Sequence, residues 1–134
     1  VIAVRSSRHD EMINITSQVQ RVIPRSLTGG CLISSQHTTA AITVNENAAP
    51  DVCHDLLSRL DKLFPWQDDD DHHGEGNSAA HLKTSFMGSS VVVPVCDGQM
   101  ELGTWQGLFL WEFDGARSRR VIVRFLAGAM RLPE

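Results

Sequence analysis

A chain of 134 residues with 42% hydrophobic and 21% charged side chains, ten glycines and five prolines has the length and usage of one ordinary globular domain, which excludes disordered, collagenous and coiled-coil readings and an active site between two domains. Its formal charge of −4 rests on 16 acidic against 12 basic residues, and the run Asp68–Asp71 accounts for the whole excess, so there is no general attraction for a polyanion and nucleic acid is not an expected partner. No stretch approaches a membrane-spanning length of apolar residues and no apolar leader opens the chain, while Cys31, Cys53 and Cys96 are odd in number and lack a C-x-x-C pair, so the expectation is a cytoplasmic protein whose cysteines serve as packing residues.

In chain order, short strands are expected over 1–6 and 11–15. A helix then follows from Thr16, read as its N-cap, carrying Val19, Val22 and Ile23 until Pro24 stops it. After Gly29-Gly30, two β-rich runs over 31–36 and 40–45 flank the polar triplet His37-Thr38-Thr39. From Pro50 to Phe64 the residues Val52, Leu56, Leu60, Leu63 and Phe64 share one helical face, with Pro50 suited to the first turn. The segment 65–77 is too polar to pack and too long for a tight turn, which marks it as a candidate active-site loop. Within it the four aspartates read as a solvated, self-repelling run. Ser78 is read as the cap of a short helix through His81, Leu82, Lys83 and Phe86 that ends at Gly88, and a Val-rich strand follows over 89–95. Asp97-Gly98 signals a hairpin into 99–102. From Thr104 to Phe113 apolar residues stand at both parities, as in a strand buried on both faces, and Asp114-Gly115 turns the chain into a last strand over 119–126. Strand groups separated by hairpin signals, with helices between the groups, predict an α+β domain with a largely antiparallel sheet.

Three polar clusters fall at strand ends or in the long loop: His37-Thr38-Thr39 with Asn45-Glu46-Asn47; His73-Gly74-Glu75-Gly76-Asn77 with His81 and Lys83; and Gln106 with Glu112. Imidazoles and carboxylates together are what a divalent cation needs in place of its water shell, which makes His37, His73 and His81 candidate metal ligands. Asn45-Glu46-Asn47 reads equally as a plain turn. Glu112 shares a strand face with Gln106, Leu108 and Leu110, so its carboxylate is either functional or paired to Arg117, Arg119 or Arg120. Those arginines form the one basic cluster, suited to clamping a phosphate or to balancing acids.

The runs Gln36-His37-Thr38-Thr39-Ala40-Ala41, Val44-Asn45-Glu46-Asn47, Glu75-Gly76-Asn77 with His81-Leu82-Lys83, Leu102-Gly103-Thr104-Trp105-Gln106-Gly107 and Arg119-Arg120-Val121 together resemble the YjbQ family, also known as secondary thiamine-phosphate synthase-like proteins. The resemblance spans nearly the whole chain, so 1–134 is expected to form a single YjbQ-like domain. It implies a small α+β fold built on an antiparallel β-sandwich or barrel with two or three helices, assembled as a homotrimer with pockets near the subunit boundaries. It places Asn45, Glu46, Glu75, Gln106 and Glu112 in the catalytic pocket with His37, His73 and His81. His73, not His72, is assigned to the family position. Where relatives often carry Asp before the helix-opening proline this chain has Ala49, so that helix should lack a side-chain cap.

The resemblance also implies a weak thiamine-phosphate synthase activity, joining a hydroxymethylpyrimidine diphosphate to a thiazole phosphate. Such a transferase would use Glu46 and Glu75 to hold a metal, Lys83, Arg119 and Arg120 to neutralise phosphate oxygens, and Trp105 to line the ring pocket. Magnesium favours oxygen ligands, whereas a histidine-rich site suits zinc, so the divalent metal is open between the two. A metal-assisted hydrolase with Glu75 or Glu46 as general base is the alternative, and a binder of a phosphorylated metabolite without turnover is the third reading.

Overall fold

The computed structural model describes residues 1–128, and the last stretch of the expected domain, 129–134, lies outside them. The elements run β1 (Ile2–Arg5), β2 (Glu11–Asn14), α1 (Thr16–Val22), β3 (Gly29–Ser35), β4 (Ala40–Glu46), α2 (Pro50–Leu63), α3 (Ser78–Met87), β5 (Ser90–Cys96), β6 (Gln99–Met100), β7 (Gln106–Glu112) and β8 (Ser118–Ala127). They form two sheets, one of five strands in the order β1-β8-β3-β5-β6 and one of three in the order β2-β7-β4, with every pairing antiparallel. The α+β expectation therefore holds, with three helices and eight antiparallel strands in two curled sheets that make a half-barrel.

The alternation of side chains along the strands builds the core between the sheets. Cys31, Ile33, Val93, Val95 and Val121 point from the large sheet onto Ile42, Leu108 and Leu110 of the small one, and Ile15, Val19 and Ile23 around α1 close one end. The opposite face of the small sheet carries Ala41, Trp111 and Phe113, which pack against Leu56, Leu57, Leu60 and Phe64 around α2 and Ala80 and Met87 of α3. The small sheet is thus the middle of three layers. That position explains why β7 reads as apolar at both parities: six of its seven residues are buried because neither face meets water.

Local signals set the element ends, with some displacements. Thr16 opens α1 as a helical residue, Ile15 standing at the N-cap. The Thr16 hydroxyl instead donates to Asn14 Oδ1 at 2.6 Å and accepts the Leu108 N–H at 2.9 Å, tying α1 to β7. Helix α2 begins at Pro50 with no side-chain bond from Ala49, as read. Its Leu63 does not join the buried face but is 68% exposed. Helix α3 is preceded by Asn77 and not by Ser78 as its N-cap, and Gly88 ends it. In the β5–β6 hairpin, Asp97 and Gly98 take φ of 47° and 79°, the left-handed pair that a two-residue turn requires. A Cβ at Gly98 would also lie 2.6 Å from Arg25 Cα, so glycine is required there twice over.

Candidate functional site

The β3–β4 connection crosses from the large sheet to the small one over residues 36–39, beside the start of β8 and the end of β7. The long loop 65–77 and the first turn of α3 come to the same place. Together they line an open polar cavity of about 420 Å³ walled by His37 and Thr39, by His73, Glu75 and Asn77, by His81, and by Arg117 and Arg119. Three separate stretches of chain, 36–39, 73–81 and 117–119, thus meet at one cavity, the first two bringing all three predicted histidines and Glu75. Both His72 and His73 are exposed, and of the two it is His73 that lines the cavity.

Its floor is an ion pair sealed from water. Arg119 is 2% exposed and Glu112 is 0% exposed. Arg119 Nε donates to Glu112 Oε1 at 2.8 Å and its Nη2 donates to Glu112 Oε2 and to Thr39 Oγ1. Glu112 also accepts from Ser6 Oγ at 2.7 Å and from the Asp114 N–H at 3.0 Å. Burial alone would push this carboxyl up; the bonds from Arg119, Ser6 and Asp114 outweigh it and hold it below the ordinary carboxylate range. Of the two readings of Glu112, pairing to an arginine is the one its surroundings express. Its oxygens are taken, so it supports the pocket by fixing Arg119, whose Nη1 is left without a bond to a described residue.

His37 is half-buried, and its Nε2 accepts the backbone N–H of Arg120 at 2.8 Å. Desolvation lowers its pKa and the nearby Arg119 lowers it further, so the ring is kept neutral. A neutral ring that accepts at Nε2 carries its proton on Nδ1, which makes it a donor with no free lone pair for a metal. This disagrees with the expected role of His37 as a metal ligand. His73 and His81 approach each other edge to face with centroids 5.5 Å apart. Among the described residues, however, no three His, Cys, Asp or Glu side chains are grouped so that they could hold a metal ion. The donor set as arranged does not fit the zinc or magnesium ion expected from the sequence.

Asn77 supplies a further fixed point. Its Nδ2 donates to Asp114 Oδ2 at 2.9 Å, and Arg117 Nη2 donates to the same oxygen at 3.1 Å. The carboxylate dictates the amide orientation, and Asn77 Oδ1 is left buried without a partner. Each guanidinium in the wall is already matched by a carboxylate, Arg119 by Glu112 and Arg117 by Asp114. What the cavity offers an oxyanion is therefore mainly oriented N–H groups, with added positive charge only when an imidazole is protonated.

Other expected site residues lie elsewhere. Asn45 and Glu46 pair with Gly107 and Gln106 at the far end of β4 and β7, whereas Ala40 and Glu112 pair at the cavity end. Six residues at about 3.3 Å each put roughly 20 Å between the two ends. There Gln106 Oε1 accepts the Gly103 N–H at 2.8 Å, Asn45 Oδ1 accepts the Glu46 N–H at 2.7 Å, and Trp105 is 63% exposed. Arg120 is the outward neighbour of Arg119, as strand alternation demands, and meets the site through its backbone alone. Lys83 is 1% exposed and donates to Asp10 at 2.8 Å and to Asp61, below the ring of Phe113. It ties the β1–β2 connection to α2 and α3, and does not line the histidine cavity. Sequence reasoning placed Asn77 in the loop cluster and Arg117 in the basic cluster but assigned neither of them a role in the pocket. Period-2 parity with Arg119 was the available signal for Arg117, and the N-cap position beside the loop was the signal for Asn77.

Similar chains with this fold are found among known proteins. Residues 1–128 match the family model described as UPF0047 protein YjbQ-like. Among curated relatives, UPF0047 protein YugU of Bacillus subtilis is 44% identical over 127 residues, covering 93% of this chain and 96% of that one. UPF0047 protein YjbQ of Escherichia coli O157:H7 is 35% identical over 121 residues, covering 89% and 85%. Among solved structures, a YjbQ/UPF0047 family protein from Clostridium acetobutylicum superposes with a TM-score of 0.89 at 45% identity, over 93% of this chain and 98% of that one. A conserved hypothetical protein from Thermus thermophilus does so with a TM-score of 0.87 at 40% identity, over 94% and 100%.

Proposed function

The chain belongs to the YjbQ-like UPF0047 family, and on that premise we propose that its histidine cavity is an enzyme site for a phosphorylated small molecule, with proton transfer supplied by imidazole. His37 Nδ1–H and the guanidiniums of Arg117 and Arg119 hold the phosphate oxygens. His73 and His81, with Glu75 beside them, act as acid and base at the ester oxygen. The observation that carries this reading is the convergence of three histidines, one glutamate and two arginines on one cavity from three separate stretches of chain. A site whose arginines are already neutralised gains attraction for an anion when an imidazole takes up a proton, which links binding to acid catalysis.

The thiamine-phosphate synthase activity implied by the family resemblance is one reaction this pocket would serve, with metal-free ester hydrolysis as its competitor. Titration calorimetry with inorganic phosphate, followed by product assays on the two thiamine precursors and on simple phosphate monoesters, tests the reading. His81→Ala and His73→Ala are expected to lower turnover by about 10²–10⁴-fold, the usual contribution of general acid–base catalysis. Phosphate binding without product from any substrate supports the binder alone, and absence of phosphate binding refutes the reading.

The homotrimer implied by the resemblance has surface to draw on. The outer face of β3, β5 and β8 presents Leu32 opposite Val92, with Leu126 opposite Gly30 two residues along β3, and Val92 and Leu126 are 59% and 44% exposed. Asn45, Glu46 and Gln106 would reach a histidine cavity only on a neighbouring copy. Light scattering of the wild type and of Val92→Glu distinguishes a trimer dependent on this face from a monomer.

A further inference from the structure

His73 and His81 also line a second cavity, which lies open at the surface. It measures about 500 Å³, and its remaining walls are Asp71, Ser78, Leu82 and Ser85. Both cavities fall within the size range of small-ligand sites. They differ in kind. The first is walled by two arginines and a glutamate; the second has neither arginine nor lysine in its wall, one carboxylate at Asp71, two hydroxyls, and the half-exposed side chain of Leu82. A phosphate there would meet neither arginine nor lysine, would share the two imidazoles with the first cavity and would face Asp71, so the cavity is the poorer of the two for a phosphorylated group. An uncharged ring with polar edges meets Leu82 and the serine hydroxyls without that cost.

We infer that the second cavity takes the unphosphorylated half of the substrate, a neutral group of aromatic-ring size, while the phosphate lies in the arginine-walled cavity. The shared histidine pair then stands at the seam between the two halves, where an ester oxygen would lie. This rests on the reading of the first cavity as a phosphate site. Of the two reactions named above it favours ester hydrolysis, because the coupling of two phosphorylated precursors leaves one phosphate in a cavity whose wall has neither arginine nor lysine.

The experiment is titration calorimetry of the full chain with inorganic phosphate and with 1-naphthyl phosphate. Burial of about 60 Å² of apolar ring at about 25 cal/mol per Å² corresponds to about tenfold tighter binding of the naphthyl ester. Leu82→Asp and Ser85→Asp, both on the exposed side of α3, are expected to bring that ratio to about one while leaving phosphate affinity unchanged. A wild-type ratio of one overturns the inference but leaves the phosphate site standing. A ratio that survives both substitutions also overturns it. Failure of phosphate itself to bind overturns the reading of the first cavity and the inference with it.

Discussion

Glu112→Gln tests the physical basis of the cavity floor. The substitution keeps the shape of the side chain and removes its charge, leaving the Arg119 guanidinium, 2% exposed, without a counter-ion. Removing one partner from a buried ion pair costs about 3–5 kcal/mol, because the remaining charge has been taken from water and is no longer compensated. The upper part of that range applies, since Glu112 receives two bonds from Arg119 and further ones from Ser6 and Asp114. For a domain of this size the loss lowers the thermal midpoint by about 10–20 °C. Because the Glu112 carboxyl is held below its unfolded value, its contribution is full above the ordinary carboxylate range and is lost as pH falls through the lowered folded value. Urea unfolding of the wild type and of Glu112→Gln from pH 7 into the acid range should show a gap that is widest near neutrality and narrows with acid. A gap under about 1 kcal/mol, or one that does not change with pH, would refute the sealed-pair account. The double variant Glu112→Met with Arg119→Met is expected to recover much of the stability while losing phosphate binding, since apolar replacements of a buried pair are often neutral.

Two other expectations follow from the same geometry. Nitrogen-15 spectra should show His37 as the neutral Nδ1-protonated tautomer at pH 7, with a midpoint below that of an ordinary histidine because desolvation and Arg119 oppose its protonation; a midpoint above the ordinary value, or loss of the Nδ1 proton on adding zinc, contradicts the donor role. Lys83→Met should cost about 1–3 kcal/mol, with the exposed Asp61 recovering much of its hydration, and should leave phosphate affinity unchanged; a folded Lys83→Met protein with tenfold weaker phosphate binding would place Lys83 in the site after all.

The local layout was legible in the residues themselves. Pro50, Gly88, the Asp97-Gly98 pair and the double-parity run of β7 carry their structural meaning within a few residues, because backbone angles and strand burial are short-range properties. The polar motifs likewise marked His37, His73, Glu75 and His81 as candidates. Which motif meets which is a different kind of fact. Asn45, Glu46 and Gln106 stand as near to the histidine motifs in the chain as the true wall residues do, yet antiparallel pairing of β4 with β7 carries them to the opposite end of the small sheet. Arg119 and Arg120 are adjacent in the chain, and strand parity sends one inward and the other outward. The roles of charged side chains depended on their partners: Lys83 and Glu112 were expected to serve chemistry, and each is enclosed by counter-charges from distant elements. Composition and pattern determined an antiparallel α+β domain with two or three helices and a short roster of polar candidates; packing of the three layers decided which of them share a cavity, because hydrogen-bond partners and solvent access exist only once remote segments meet.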